Sequence, residues 1–199
     1  MAAIQVLSAN PLLSAGVLAG GEGRRLAGAD KGLVLWRGQP LVRHVLTALK
    51  AQSAEQLISA NRNLDVYACF GVPVVRDGVG GGPLAGLAAL MAEAQHDWLL
   101  CVPCDAPLLP PDLAASLLAA ARNADAPASY LHDGERAHPT FCLVHRRLTV
   151  AAHRAAAAST GLGDWLHQQG AVPLHGMPPA NLNTAEDFAA LDRALAAAP

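Results

Sequence analysis

Gly20, Gly21 and Gly23 crowd three glycines into four positions, and Arg24, Arg25 and then Lys31 follow them. Without a Cβ, glycine lets the backbone come close to a phosphate and aim several N–H groups at it. Arginine forks onto phosphate oxygens, and lysine adds a point charge. The chemistry indicated is capture of a polyphosphate. Two familiar phosphate loops do not fit. In a Walker loop, Gly23 and Gly28 would be followed by Lys and then Ser or Thr, where Ala29 and Asp30 stand. A dinucleotide fingerprint built on Gly21 and Gly23 needs a further glycine where Leu26 stands. A glycine turn with solvated basic residues is the plainer reading, and the density of Gly and Arg directly after an apolar run argues against it.

Asp105 closes the apolar run Trp98-Leu99-Leu100-Cys101-Val102. A carboxylate at the end of a buried strand faces the cleft mouth and suits Mg²⁺, which takes one or two carboxylates together with phosphates and water. The alternative is a helix cap, but Pro107, Pro110 and Pro111 separate Asp105 from the next helix. Asp77 and the glycine-rich residues 78–82 lead into Pro83. That arrangement offers a helix N-terminus where an anion or a base can lie, and an ordinary loop explains it equally well. His132-Asp133-Gly134-Glu135-Arg136-Ala137-His138 is a polar cluster that either lines an acceptor site or is simply solvated. Cys101 and Cys104 lack the second close pair that a zinc site needs, so buried strand-end thiols are expected, with all four cysteines reduced.

These residues need a scaffold. Apolar runs at residues 16–19, 56–60, 72–76, 98–102, 129–132, 140–145 and 171–175 read as strands. Helical patterns cover residues 40–52, 83–95, 112–123, 147–158 and 162–169, and a last helix starts at Thr184, with Asp187 at capping-box spacing. In the first helix Leu41, Val42, Val45, Leu46 and Leu49 share one face. Strands that are apolar throughout and alternate with helices predict a mostly parallel sheet covered on both faces. The expectation is a single three-layer α/β domain over residues 1–199, with its core at about 16–192. In such a domain ligands bind beyond the carboxyl ends of the strands.

Lys and Arg number 14 against 16 Asp and Glu, a net charge of -2, so no basic footprint for nucleic acid exists. No apolar stretch approaches the roughly 18 residues that span a bilayer, and no secretory leader is evident. The expectation is a cytoplasmic monomer with small-molecule partners, and neither nucleic acid nor membrane among them.

Taken in order, Leu18-Ala19-Gly20-Gly21, Gly23-Arg24-Arg25, Asp30-Lys31-Gly32, Gly38-Gln39-Pro40-Leu41 and Ala60-Asn61-Arg62 resemble the molybdenum cofactor guanylyltransferase family. The likeness continues through Gly82-Pro83-Leu84-Ala85-Gly86, Pro103-Cys104-Asp105, the segment from His132 to Arg136 with His138-Pro139-Thr140, and Asn181-Leu182-Asn183-Thr184. The glycine-arginine loop specifies only the wider nucleotidyltransferase group, whereas the later motifs are more particular.

This resemblance implies a Rossmann-like fold of the nucleotide-diphospho-sugar transferase kind. It implies transfer of GMP from GTP to the phosphate of molybdopterin, with Mg²⁺ as cofactor. Leu18, Ala19, Gly20 and Gly21 would contact the nucleotide, Lys31 its phosphates, Asp77 the guanine, and Asp105 the metal. Arg24 and Arg25 would steady the triphosphate, making Asp105, Lys31 and Arg25 the catalytic set. Arg136, His138, Asn181 and Asn183 would face the pterin. The family's Asn at position 59 is Ser59 here, so that its nucleotide contact is either weakened or taken over by Asn61. Cytidylyl transfer or a sugar-phosphate acceptor would use the same loops, and a non-catalytic pterin carrier would keep the fold. Transient contacts with other cofactor-biosynthesis or molybdoenzyme-maturation proteins are also expected.

Overall fold

The apolar runs do form strands. The computed structural model describes residues 12–19, 30–78 and 81–196. Among these residues β1 (Ser14–Leu18), β4 (Glu55–Ser59), β5 (Val74–Val75), β6 (Trp98–Pro103), β7 (Ala128–His132), β8 (Ala137–His145) and β9 (Val172–His175) make one sheet. Its order is β5-β4-β1-β6-β8-β7-β9. A separate two-stranded hairpin, β2 (Leu35–Trp36) with β3 (Gln39–Pro40), was not foreseen. The helices are α1 (Leu41–Leu49), α2 (Leu64–Ala68), α3 (Gly82–Glu93), α4 (Leu113–Asn123), α5 (Thr149–Ala157), α6 (Leu162–Gln168) and α7 (Ala185–Ala196). Short 3-10 turns cover Lys31–Leu33 and Arg146–Leu148.

Three expectations need correction. Residues 72–76 pair only over Val74 and Val75, because Pro73 has no N–H to give the ladder. The helix expected over 147–158 splits into the second 3-10 turn and α5. The strand expected from residue 140 begins at Ala137 and runs antiparallel to both β6 and β7. A short turn cannot return a chain to run parallel, so β8, reached from β7 in a few residues, must reverse. The other pairings, β1 with β4 and β6, β4 with β5 and β7 with β9, are parallel.

Side-chain alternation along the strands divides the interior in two. Leu100, Val102, Phe141 and Leu143 point into a core shared with Val42, Val45, Leu46 and Leu49 of α1 and with Leu113 and Leu117 of α4. Leu99, Cys101, Cys142 and Val144 point the other way, against α3, α5 and α6. The sheet is therefore the middle of three layers, as the unbroken apolar runs require. Burial of each large aliphatic side chain stabilises the fold by about 1.5–3 kcal/mol, so either face alone contributes heavily. At Gly16 a Cβ would lie 2.7 Å from Leu90 Cδ1, so the missing side chain lets α3 press onto β1. A third, small cluster of Trp36, Leu41 and Leu182, joined by Phe188, Leu191 and Leu195, ties α7 to the β2–β3 hairpin.

Candidate active site

The sheet order reverses at β1, which has β4 on one side and β6 on the other. Open α/β sheets bind ligands outside the carboxyl ends of the strands at such a reversal. There Leu18 stands level with Ser59 of β4 and Pro103 of β6. The Ala19 N–H donates to the Ser59 carbonyl at 2.8 Å, and the Cys104 N–H donates to the Leu18 carbonyl at 3.1 Å. Leu18 and Ala19 thus sit at the focus of the edge. Gly20, Gly21, Arg24 and Arg25 lie outside the described residues.

Lys31 and Asp105 meet as the sequence predicts. The Lys31 ammonium donates to Asp105 Oδ2 and also to Asn183 Oδ1. Asp105 is 6% exposed, and its carbonyl accepts the Leu182 N–H at 2.8 Å. Its other oxygen, Oδ1, is buried with no hydrogen-bond partner among the described residues. A buried anionic oxygen left without a donor is costly, and a hard cation is the partner that suits it. Among the described residues no three acids, histidines or cysteines converge to cage a metal. The donor set therefore fits Mg²⁺ held by one carboxylate, with phosphate and water oxygens completing its shell.

Asn183 is itself held in place. Its N–H donates to Asp187 Oδ2 at 2.8 Å, and the Thr184 N–H does the same at 2.7 Å. The Asp187 N–H returns a bond to Thr184 Oγ1 at 3.3 Å, completing the capping box at the head of α7. These bonds, the one from Asn183 foremost, hold the Asp187 carboxyl below its usual range. The resemblance groups Asn183 with the pterin half, but the structure joins it to Lys31. Asn181 Oδ1 is buried nearby with no partner among the described residues, and its carbonyl accepts from Asn183 Nδ2 at 3.4 Å.

On the other flank of β1, Asp77 is gripped by two residues at the end of β4. Ser59 Oγ donates to Asp77 Oδ1, and Asn61 Nδ2 donates to Asp77 Oδ2 at 2.9 Å. The Asp77 N–H donates back to Asn61 Oδ1 at 3.1 Å. Ser59 and Asn61 thus orient Asp77, which leaves each carboxylate oxygen a lone pair for a ligand. Gly86 of α3 makes this possible, since a Cβ there would lie 2.8 Å from both Leu18 Cδ2 and Ser59 Oγ.

Sequence reasoning missed one group altogether. Asp30, quoted only as part of a motif, is buried and accepts from the Tyr67 hydroxyl at 2.6 Å and from Asn63 Nδ2 at 2.9 Å. Arg62 Nε lies 3.5 Å from the same carboxylate. Tyr67 belongs to α2, a helix too short for periodicity to reveal. The available signal was Asp30 itself, an acid directly before Lys31, which needs partners of its own.

The geometry agrees with the relatives. A model of the MobA-like NTP transferase domain matches residues 15–172. The molybdenum cofactor guanylyltransferase of Pasteurella multocida (strain Pm70) is 45% identical over 162 residues, covering 80% of this chain and 86% of that protein. The enzyme of the same description from Mannheimia succiniciproducens is 48% identical over 141 residues, covering 70% and 74%. This chain belongs to the molybdenum cofactor guanylyltransferase family. Among solved structures, molybdopterin-guanine dinucleotide biosynthesis protein A of Archaeoglobus fulgidus superposes with a TM-score of 0.74 at 18% identity, over 92% of this chain and 98% of that one. The 2-C-methyl-D-erythritol 4-phosphate cytidylyltransferase of Thermus thermophilus gives 0.68 at 18%, over 92% and 98%. At such identities these two show the fold alone.

In this guanylyltransferase family member residues 133–136 form the turn between β7 and β8, at the edge where β6 ends. Asp133 Oδ1 accepts the N–H groups of Glu135 and Arg136, each at 2.8 Å, and Oδ2 lies 2.7 Å from His138 Nε2. Those contacts, the Arg136 amide first, hold the Asp133 carboxyl well below the usual range. His138 is therefore buried in a turn-forming pair, whereas the Arg136 side chain is 77% exposed. The ladder slips between Tyr130 and Leu131, which pair with Cys142 and His138, so Pro139, Thr140 and Phe141 are looped out of the register. Pro139 suits that place, having no N–H to lose. Cys101, Cys104 and Cys142 are buried free thiols, as expected. Burial and the neighbouring Asp105 charge push the Cys104 thiol up, so it stays protonated beside the site.

Proposed function

We propose that this chain transfers GMP from GTP to the phosphate of molybdopterin, forming the guanine dinucleotide cofactor and releasing pyrophosphate. Family membership supports the reaction, and the convergence of Lys31, Asp105 and Asn183 at the sheet's reversal point carries it. An oxygen of the pterin phosphate attacks the α-phosphorus of GTP in line. The new oxygen–phosphorus bond forms as the bond to the β-phosphate oxygen breaks, and pyrophosphate departs with that electron pair. This chemistry requires placement and charge neutralisation, and no covalent nucleophile.

Each residue has a part. Lys31 sets its ammonium against the phosphates, and Asn183 keeps it aimed. By the resemblance, Gly20, Gly21 and Arg25 would bind the phosphates, and Leu18 and Ala19 would contact the nucleotide. Asp77 accepts the adjacent N1–H and 2-amino donors of guanine, a two-donor edge that adenine and cytosine do not present. Asn61 and Ser59 hold that carboxylate square to the base. Asp105 holds Mg²⁺, which when bound supplies positive charge against the triphosphate. Arg136, His138 and Asn181 belong to the acceptor half and face the pterin. The substrates are small molecules, and the enzyme works as a cytoplasmic monomer. No helix among the described residues is long and apolar enough to cross a membrane.

The test is pyrophosphate release with molybdopterin and Mg²⁺, offering GTP, CTP, ATP and UTP separately. Release with GTP alone is expected. Preference for CTP would overturn the role given to Asp77, and no release with any nucleotide would favour a pterin carrier. Asp105→Ala should lower turnover by at least about 10²-fold, the scale for one electrostatic stabiliser. Near-normal turnover in that variant removes the metal role.

A further inference from the structure

We propose that Tyr67, Asn63 and Asp30 are positioning residues that fix the backbone carrying Lys31, so that its ammonium is already aimed when the nucleotide arrives. The inference rests on the reading of Lys31 as the phosphate-facing cation. A lysine side chain has four rotatable carbons, and its charge can be placed only as well as its main chain is placed. Here both neighbours of Lys31 are pinned. On one side, Asp30 Oδ1 is bonded to the Tyr67 hydroxyl at 2.6 Å and Oδ2 to Asn63 Nδ2 at 2.9 Å, so the carboxylate is engaged at both ends. The Asp30 carbonyl then takes the Leu33 N–H at 3.0 Å, winding Lys31 into a 3-10 turn. On the other side, Gly32 packs where a side chain would stand against both Tyr67 and Cys104. A Cβ there would lie 2.4 Å from the phenol oxygen and 3.4 Å from Cys104 Cβ.

Cys104 is the residue before Asp105. Tyr67 and Cys104 thus both pack against the segment that carries the amine, next to the one that carries the carboxylate. Tyr67 is 0% exposed, and burial together with its bond to Asp30 keeps the hydroxyl protonated as a permanent donor. Asn63 takes the left-handed conformation, φ 53°, to start α2 and to point its amide at Asp30. A non-glycine residue in that region is uncommon, and the bond to Asp30 gives it a reason to be there.

The experiment uses the full chain and steady-state pyrophosphate release with GTP. Tyr67→Phe keeps the ring and removes one hydroxyl. Asn63→Gly removes the amide at a position where glycine fits the backbone without strain. Each should lower kcat by about tenfold or more, since small misplacements of a charged group are expensive in rate, with a smaller change in KM for GTP. The readout that separates positioning from general structural support is a cycle with Lys31→Ala. In that background Tyr67→Phe should change kcat by less than about twofold. The same proportional loss in both backgrounds overturns the inference while leaving Lys31 its role, and so does wild-type kcat in both single variants. Wild-type turnover in Lys31→Ala overturns the reading of Lys31 and the inference with it.

Discussion

Gly32→Ala is a sharp test of how the site is packed. The φ of Gly32 lies outside the left-handed region, so the substitution probes space and not backbone strain. Its new methyl group would stand 2.4 Å from the Tyr67 oxygen. Carbon and oxygen settle at about 3.3–3.6 Å, so roughly 1 Å of retreat is needed. Tyr67 is fully buried and bonded to Asp30 at 2.6 Å, so it cannot retreat without giving up that bond. Overpacking a core costs about 1–3 kcal/mol, and losing a hydrogen bond to a charged group about 1.5–3 kcal/mol. Together they give roughly 2.5–6 kcal/mol of destabilisation. In urea, with a slope of about 2 kcal/mol/M, the midpoint should fall by about 1.2–3 M. The same substitution in a Tyr67→Phe chain is a built-in control. The next ring atom is 3.3 Å from the methyl position, a contact that a few tenths of an ångström relieves. There Gly32→Ala should cost no more than about 1 kcal/mol. Equal losses in the two backgrounds, or a loss below about 1 kcal/mol in the otherwise native chain, would refute the packing argument.

Other perturbations reach different parts of the molecule. Gly86→Ala would crowd Ser59 Oγ and Leu18 Cδ2, each 2.8 Å from the added carbon, and should raise KM for GTP severalfold. An unchanged KM would mean that Asp77 does not meet the base. The Asp133 carboxyl is held below the usual range by the Arg136 amide, His138 and the Glu135 amide. Its folded-state pKa is thus the lower one, and its contribution to stability is present above the unfolded value near about 4, fading as the pH falls further. An NMR titration should find Asp133 still ionised where exposed aspartates have protonated, and an ordinary midpoint would contradict the bonds at the turn. Asp187→Ala should speed hydrogen exchange at the Asn183 and Thr184 amides and leave α3 unaffected. Equal exchange before and after would show that the cap is not made.

Much of this could be read from residue order because burial on both faces leaves a plain mark. The run Trp98-Leu99-Leu100-Cys101-Val102 has no polar interruption, and it forms the central strand. That Asp105 and Lys31 lie together was legible, because an acid just after such a strand and a lysine just after a glycine loop both belong at the carboxyl edge of the sheet. Strand direction was not legible. β8 is as apolar as its parallel neighbours over Phe141, Cys142, Leu143 and Val144, and side-chain pattern carries no arrow. Its first residues, Ala137 to Pro139, looked like loop because His138 is polar and Pro139 lacks a donor. The Asp30 anchor escaped notice for a different reason. Its meaning lies in Tyr67, which is 37 residues away, and no local period links the two. The bond between Asn183 and Lys31 was illegible for the same reason, since only the fold brings them together.

Asn183 and Lys31 are separated by 152 residues, and the segment that joins them is fastened by the smallest of the three apolar clusters. Trp36, Leu41 and Leu182, with the α7 side chains over them and an Arg37–Asp192 ion pair at 2.9 Å, secure far less surface than the two cores flanking the sheet. Proteins open piecewise, and thinly packed parts open first. The Lys31 amine would then lose its bond to Asn183 while the sheet is still whole. Heat tolerance of activity and heat tolerance of the fold become two separate properties in this molecule. The lower one is set by a handful of residues on α7 and the β2–β3 hairpin, which selection or engineering could tune without touching a single group that meets the substrate.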